Sequence, residues 1–279
     1  MDFNRCFRSL DISLALHYGL GMVAQRYALV GQNIDNSLSP KLMNAAFKAR
    51  GIDAEYVLRP TEPEDLDEVI DELRTGDWAG LNITRPYKCD FFTLVDLPSD
   101  NAARAKAVNT LWFRNGQIHG ALTDVQGVLE PLIRAGFAGG GEGLILGAGG
   151  AARAAALALS KMGTKVHLAA RRPEQAQALC GELLLEKTGE VLDLNDAQQI
   201  ETILPQIDSL IQATPLGMQN EAHVFDFGPI KESCIAFEMV YAPAETPFIK
   251  SAQEMALSSV KGLEMLEEQG EAAIKLWVG

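Results

Sequence analysis

The sequence predicts an α/β protein of two domains, each built on a mainly parallel sheet, with a ligand cleft between them. Three observations lead there. From Tyr27 onward, short apolar runs alternate with amphipathic ones, the pattern of strands joined by crossover helices. A glycine-rich stretch, "AGFAGGGEG" at 135–143, interrupts the alternation, which then restarts. The chain has 279 residues, enough for two ordinary domains.

The elements follow in order. "YALVG" (27–31) reads as a buried strand. A helix over 40–50 has Ser39 as its N-cap, Pro40 at its first position and Gly51 as its stop. "AEYVL" (54–58), a polar-faced helix over 64–74 and "GLNIT" (80–84) complete a β-α-β-α-β run. "NTLWF" (109–113) and "QIHGAL" (117–122) form a hairpin across Asn115-Gly116. Beyond the glycine-rich loop come "GLILG" (143–147), an Ala-rich helix over 151–162, "TKVHLAA" (164–170), "SLIQAT" (209–214) and "CIAFEMVY" (234–241). No internal repeat is visible.

Composition narrows the function classes. The chain is 47% hydrophobic and 22% charged, a globular mixture, with a net charge of -13. That charge argues against nucleic acid and anionic membranes as partners, because both bind through clustered Lys and Arg. A small phosphate-bearing ligand needs only a local cationic pocket and stays open. Cys6, Cys89, Cys180 and Cys234 form no C-x-x-C pair and are expected to be buried, reduced thiols of a cytoplasmic protein. His17, His119, His167 and His223 are scattered, so no metal site is expected. The run Leu10 to Ala24 is broken by Asp11, His17 and two glycines and does not read as a signal peptide.

After strand 143–146 comes Gly147-Ala148-Gly149-Gly150-Ala151-Ala152, then a helix. This is G-x-G-x-x-A, a form of the Rossmann dinucleotide fingerprint. Gly147 permits the tight turn, Gly149 lets backbone approach a pyrophosphate, and the helix start offers N–H groups to the anion. The next strand ends at Ala170, where an NAD enzyme places an acid for the ribose; Arg171-Arg172 follow instead. Paired guanidiniums suit the 2′-phosphate of NADP, with Arg153 as a third candidate.

Three polar clusters lie at strand ends in the first half: Asn36 to Pro40, Asn82 to Lys88, and Asn109-Thr110 with Thr123-Asp124. Each has a plain structural role available. Ser39 and Asp124 could cap helices, Asn82 and Thr84 could satisfy loop backbone, and Lys88 could be a surface ammonium. Together, amides and hydroxyls at strand ends suit a polyhydroxylated ligand, because each buried hydroxyl needs a partner. Lys88 with Asp124 could form the proton-transfer unit that reduction of a ketone requires.

These residues reach a known pattern. S-x-S-P (Ser37, Ser39, Pro40), N-x-T-x-P-x-K (Asn82, Thr84, Pro86, Lys88), A-V-N-T (107–110), T-D-x-x-G (Thr123, Asp124, Gly127), G-A-G-G-A (147–151) and G-L-x-M-L-x-x-Q (Gly262 to Gln269) occur in order. Over residues 26–277 the chain resembles the shikimate dehydrogenase family. The resemblance implies an N-terminal α/β substrate domain (1–123, with 1–25 an extension), a Rossmann NADP-binding domain (124–261) and a C-terminal helix (262–279) returning to the first. It implies NADP-dependent reduction of 3-dehydroshikimate to shikimate, by a monomer or homodimer. Lys88 and Asp124 would be catalytic. Ser37, Ser39, Asn82, Thr84, Asn109, Tyr241 and Gln269 would face the substrate. Gly147, Ala148, Gly149, Gly150, Ala151, Arg153, Arg171, Arg172, Thr214, Met239 and Gly262 would face the cofactor. Alternatives are a quinate or related cyclohexane-acid dehydrogenase, and a catalytically weak NADP- or metabolite-binding regulator.

The chain departs from the family pattern at Leu122 and Gln212, where Asn is usual, at Ala170, and at Glu264, which replaces a glycine. A carboxylate at 264 is expected to repel an anionic cofactor if it faces one. The late helix ends at Trp277-Val278-Gly279, and the apolar residues Leu10, Leu14, Leu16 and Leu20 are expected to pack where the family carries a further C-terminal helix.

Overall fold

The computed structural model describes residues 24–218 and 227–279. The expected packing of the N-terminal extension lies outside these residues, as do Cys6, His17 and His223. Two six-stranded sheets organise the molecule.

The first sheet contains β1 (Gln25–Gly31), β2 (Ala54–Pro60), β3 (Gly80–Ile83), β4 (Leu97–Pro98), β5 (Thr110–Arg114) and β6 (Gln117–Ala121), in the order β2-β1-β3-β5-β6-β4. β1 pairs in parallel with both β2 and β3, which is why Tyr27 to Gly31 reads as one apolar run: both faces are covered. β5 runs antiparallel to β3 and turns into β6. The turn residues Asn115 and Gly116 both have positive φ, 55° and 80°, the requirement of a two-residue turn matching strand twist.

Helices α1 (Ser39–Ala49), α2 (Leu66–Thr75), α3 (Lys88–Phe92), α4 (Asp100–Ala105) and α5 (Asp124–Arg134) connect these strands or follow them. α1 starts one residue earlier than expected. Leu38 is the N-cap, and Ser37 Oγ, not Ser39, accepts the Ser39 N–H at 3.2 Å. α2 is preceded by a separate 3-10 turn, Pro63–Asp65.

The second sheet is wholly parallel, β12-β11-β10-β7-β8-β9: β7 (Glu142–Leu146), β8 (Lys165–Ala170), β9 (Thr188–Asp193), β10 (Ser209–Gln212), β11 (Ile235–Glu238) and β12 (Ser258–Val260). Read outward from β7, this is the doubly wound dinucleotide-binding order, with its switch point between β7 and β10. Its helices are α6 (Gly150–Lys161), α7 (Pro173–Leu183), α8 (Ala197–Ile203) and α9 (Pro247–Glu254). α6 buries Ala152, Ala154, Ala155, Ala156 and Ala158. It buries Leu157 and Leu159 as well, so the helix is apolar on most faces, as one covered nearly all round must be.

The last helix, α10 (Gly262–Val278), returns to the first sheet. Trp277 lies 4.6 Å from the Tyr27 ring and 6.4 Å from Tyr56, and its indole N–H donates to Leu111 O at 3.1 Å. Gly80 in β3 makes room for it, since a Cβ there would sit 2.4 Å from the indole nitrogen. Gly127 similarly lets α5 approach α10, where an added Cβ would meet Met265 O at 2.9 Å.

The cysteine expectation needs one correction. Cys180 and Cys234 are buried, but Cys89 is exposed, because the short helix α3 presents that face to solvent.

Candidate active site

The end of β3 is built to hold a lysine still. Tyr87 is buried, packs edge-on against Phe91 and donates to Thr61 O at 3.0 Å. Val108 N–H donates to Lys88 O at 2.9 Å, so the lysine backbone is fixed from a second direction. The side chain then crosses toward the second half of the molecule. A Cβ on Gly150 would lie 3.6 Å from Lys88 Cδ, so the lysine stem rests against the first turn of α6.

Lys88 Nζ meets Asp124 Oδ2 at 2.5 Å, with side-chain exposures of 16% and 6%. Asp124 is the first residue of α5; Thr123, not Asp124, is its N-cap. The carboxylate is therefore free of capping and turned to the lysine. Its other oxygen accepts from Asn109 Nδ2 at 3.1 Å. The same Asn109 nitrogen faces Thr123 Oγ1 at 2.9 Å and Gln269 Oε1 at 3.1 Å, while Asn109 Oδ1 accepts Thr123 N–H at 2.6 Å. Asn109 thus ties the hairpin, the start of α5 and α10 to one point.

Asn82 is occupied by the protein. Both its amide hydrogens have acceptors, Asn109 O at 3.0 Å and Thr110 Oγ1 at 3.1 Å, and its oxygen accepts from the buried Tyr56 hydroxyl at 2.8 Å. Burial, and to a smaller degree Tyr241, hold the Tyr56 phenol well above its ordinary range, so it stays a donor.

Around the ion pair opens a cleft of about 400 Å³. Ser37, Ser39, Asn82, Thr84, Lys88, Asn109 and Asp124 line it from the first half. Thr214, Met239, Tyr241, Gly262 and Gln269 line it from the second half and α10, together with Ala151. Ser37 Oγ lies 3.4 Å from Tyr241 Oη and 3.2 Å from Ser39 Oγ. Sequence motifs far apart in the chain therefore converge on one space.

The fingerprint loop sits beside it. Gly147 has φ +120°, which disfavours any side chain. A Cβ on Gly149 would meet nothing within 4 Å, so its surface is open to an approaching group. The first-turn N–H groups of α6 have no carbonyls of their own helix to reach. Arg171 and Arg172 are exposed at the end of β8. The Asp193 carboxylate, opposite Ala170 in β9, accepts from Asn195 N–H and Nδ2, both at 2.9 Å. The glycine-rich turn, the free first-turn N–H groups and the two exposed arginines fit a dinucleotide with a third phosphate. Arg153 is engaged otherwise, by Glu182 at 2.8 Å and Ala105 O at 3.1 Å.

Two departures acquire physical explanations. Gln212 Oε1 accepts both the N–H and the hydroxyl of Thr214 at 2.9 Å, while its Nε2 donates to Leu216 O at 3.1 Å; the longer amide shapes the loop after β10. Glu264 folds back to accept Lys261 N–H at 3.0 Å, capping α10.

Sequence reasoning missed Tyr56, whose only signal was a tyrosine in a strand. Arg85, one of the unspecified positions of the N-x-T-x-P-x-K motif, also lines the cleft. Among the described residues, no cluster of three or more His, Cys, Asp or Glu could hold a metal ion, and no helix is long and apolar enough to cross a membrane.

A doubly wound parallel sheet with a glycine-rich first turn, facing a second α/β unit across a cleft that holds a lysine–carboxylate pair, defines the class: two-domain proteins of the Rossmann type. A family profile described as the shikimate dehydrogenase substrate binding domain matches residues 29–111. A shikimate dehydrogenase (NADP(+)) from Natronomonas pharaonis is 34% identical over 253 residues, covering 91% of this chain and 93% of the relative. The structure of Thermus thermophilus shikimate 5-dehydrogenase in complex with NADP(H) and shikimate superposes with a TM-score of 0.81 at 33% identity, covering 91% of this chain and 94% of that one. A Corynebacterium glutamicum quinate dehydrogenase in complex with NAD gives a TM-score of 0.81 at 28% identity, covering 92% and 94%. The chain belongs to the shikimate dehydrogenase family.

Proposed function

We propose that this protein catalyses the NADP-dependent, reversible reduction of 3-dehydroshikimate to shikimate. The observation that carries the proposal is the Lys88–Asp124 pair, 2.5 Å apart in the cleft where the fingerprint helix meets the first sheet. NADPH, bound along the fingerprint loop with Arg171 and Arg172 at its 2′-phosphate, supplies the hydride. Lys88 donates a proton to the oxygen of the ring ketone as it becomes an alcohol, and Asp124 orients the ammonium. In the reverse direction the same nitrogen, as the free amine, removes that proton. Ser37, Ser39, Thr84, Asn109, Tyr241 and Gln269 orient the carboxylate and hydroxyls of the substrate, and Asn82 supports them through Asn109. Thr214, Met239 and Gly262 shape the nicotinamide end.

In this reading residues 1–123 form the substrate domain, 124–261 the NADP domain and 262–279 the helix that rejoins the first. The protein works in the cytoplasm as a monomer or homodimer. Quinate is the less favoured substrate: the relatives more than 30% identical carry the NADP-dependent shikimate name, whereas the quinate enzyme is 28% identical and was solved with NAD.

The test is reduction of NADP or NAD with shikimate or quinate, followed by absorbance of the reduced nicotinamide. Rapid turnover is expected with shikimate and NADP. Lys88→Ala is expected to lower kcat by about 100-fold or more with little change in KM, since proton transfer matters in the transition state. An effect on KM alone would demote Lys88 to a binding residue.

A further inference from the structure

We propose that Arg85 is a specificity determinant of the cleft, the cationic anchor for the carboxylate of an acidic substrate; this rests on the functional reading above. Among the described residues lining the cleft, only Arg85, Lys88 and Asp124 are charged. Lys88 and Asp124 form an ion pair and cancel beyond their immediate surroundings. The net charge of the lining is therefore that of Arg85.

Arg85 also differs from the five described arginines that pair with acids. Arg50, Arg59, Arg74, Arg134 and Arg153 each hold a carboxylate. The Arg85 guanidinium has no hydrogen-bond or ion-pair partner among the described residues, although its backbone is anchored. Gln32 N–H donates to Arg85 O at 3.1 Å, and Thr84 N–H donates to Val30 O at 2.9 Å. Gly31 lets this segment lie close, because a Cβ there would be 2.8 Å from Arg85 O. The base of the side chain is thus held while its charged end stays available.

The whole-chain charge gives this cation a task. At -13, the protein as a whole repels an acid at long range. Neutral donors such as Ser37 and Ser39 can orient and bind a carboxylate at contact, but they carry no net charge and supply no long-range attraction. One guanidinium without an ion-pair partner in the cleft supplies that attraction against the surrounding negative charge. Because Arg85 is exposed, water and salt screen it, so its effect belongs mainly in KM and varies with ionic strength.

The experiment compares the full-length wild type, Arg85→Gln and Arg85→Lys in steady-state kinetics with NADP. Shikimate and its methyl ester are varied at low and high salt. Arg85→Gln is expected to raise KM for shikimate about three- to tenfold, with kcat within about twofold. Arg85→Lys should restore most of the loss. The ester, which lacks the charge, should be indifferent to both substitutions, and the effect on shikimate should shrink at high salt. KM for NADP should not move. An unchanged KM for shikimate, an equal rise with the ester, or a change confined to the cofactor would overturn the assignment. A wild-type protein that does not turn over shikimate refutes the functional reading, and the Arg85 role with it; turnover with an unaffected KM refutes Arg85 alone.

Discussion

Glu238 closes β11 with its carboxyl group almost wholly out of water, at 1% exposure. One oxygen accepts Val240 N–H at 2.8 Å and the other the Thr246 hydroxyl at 2.7 Å. Burial pushes its pKa from 4.5 to about 7, against the opposing pull of those hydrogen bonds. In the unfolded chain the group loses its proton near 4.5; in the folded protein it keeps it to about 7. Across that interval the native state binds more protons, so raising the pH lowers stability. The contribution is greatest below about 4.5, declines through the interval and is flat above about 7. At about 1.4 kcal/mol per pH unit, the total is about 3 kcal/mol. Glu238→Gln removes the titration while leaving an oxygen for Val240 N–H. It adds a pH-independent cost of about 1 kcal/mol where Thr246 loses its acceptor. Urea unfolding of both proteins from about pH 5 to 8 measures the difference. The wild type's advantage over the variant should shrink as the pH rises and then reverse. Parallel stability curves would refute the reasoning.

Three further outcomes are expected. Trp277→Ala removes a buried indole, its contacts with Tyr27 and Tyr56 and its bond to Leu111 O, and should cost about 3–5 kcal/mol in denaturant unfolding. Gly262→Ala places a Cβ 2.4 Å from Val240 O; a loss of about 1–3 kcal/mol and a raised KM for NADP are expected, read by Tm and kinetics. Arg171→Ala and Arg172→Ala should raise KM for NADP about tenfold or more while leaving NAD nearly unchanged, which cofactor titration checks.

Much of this architecture is legible because local rules and global fold agree. Apolar runs such as Tyr27 to Gly31 mark strands covered on both faces, and Asn115-Gly116 marks a hairpin through its demand for positive φ. The short elements are not legible in this way. β12 has three residues and α3 five, too few for any periodicity to appear. Within the candidate site, residue type at strand ends located the cleft, but not how the polar groups divide the work. Asn82 and Lys88 lie in one motif, yet the first is tied up by Tyr56, Asn109 and Thr110 while the second crosses to Asp124. That division depends on a tyrosine 26 residues upstream and an aspartate 36 residues downstream. Glu264 teaches the converse: its sign suggested conflict with a cofactor, whereas its place at the third position of a helix made it a cap.

The return of α10 to the first sheet also bears on how the molecule is made. A ribosome delivers Tyr27, Tyr56 and Leu111 long before Trp277, so the nascent opening half emerges with a gap where the indole belongs. Gln269, which completes the Asn109 junction, arrives in the same late segment. Synthesis stalled before residue 262 therefore leaves a polypeptide that is both unfinished in its first core and without its full polar junction, a species suited to recognition by proteases and chaperones.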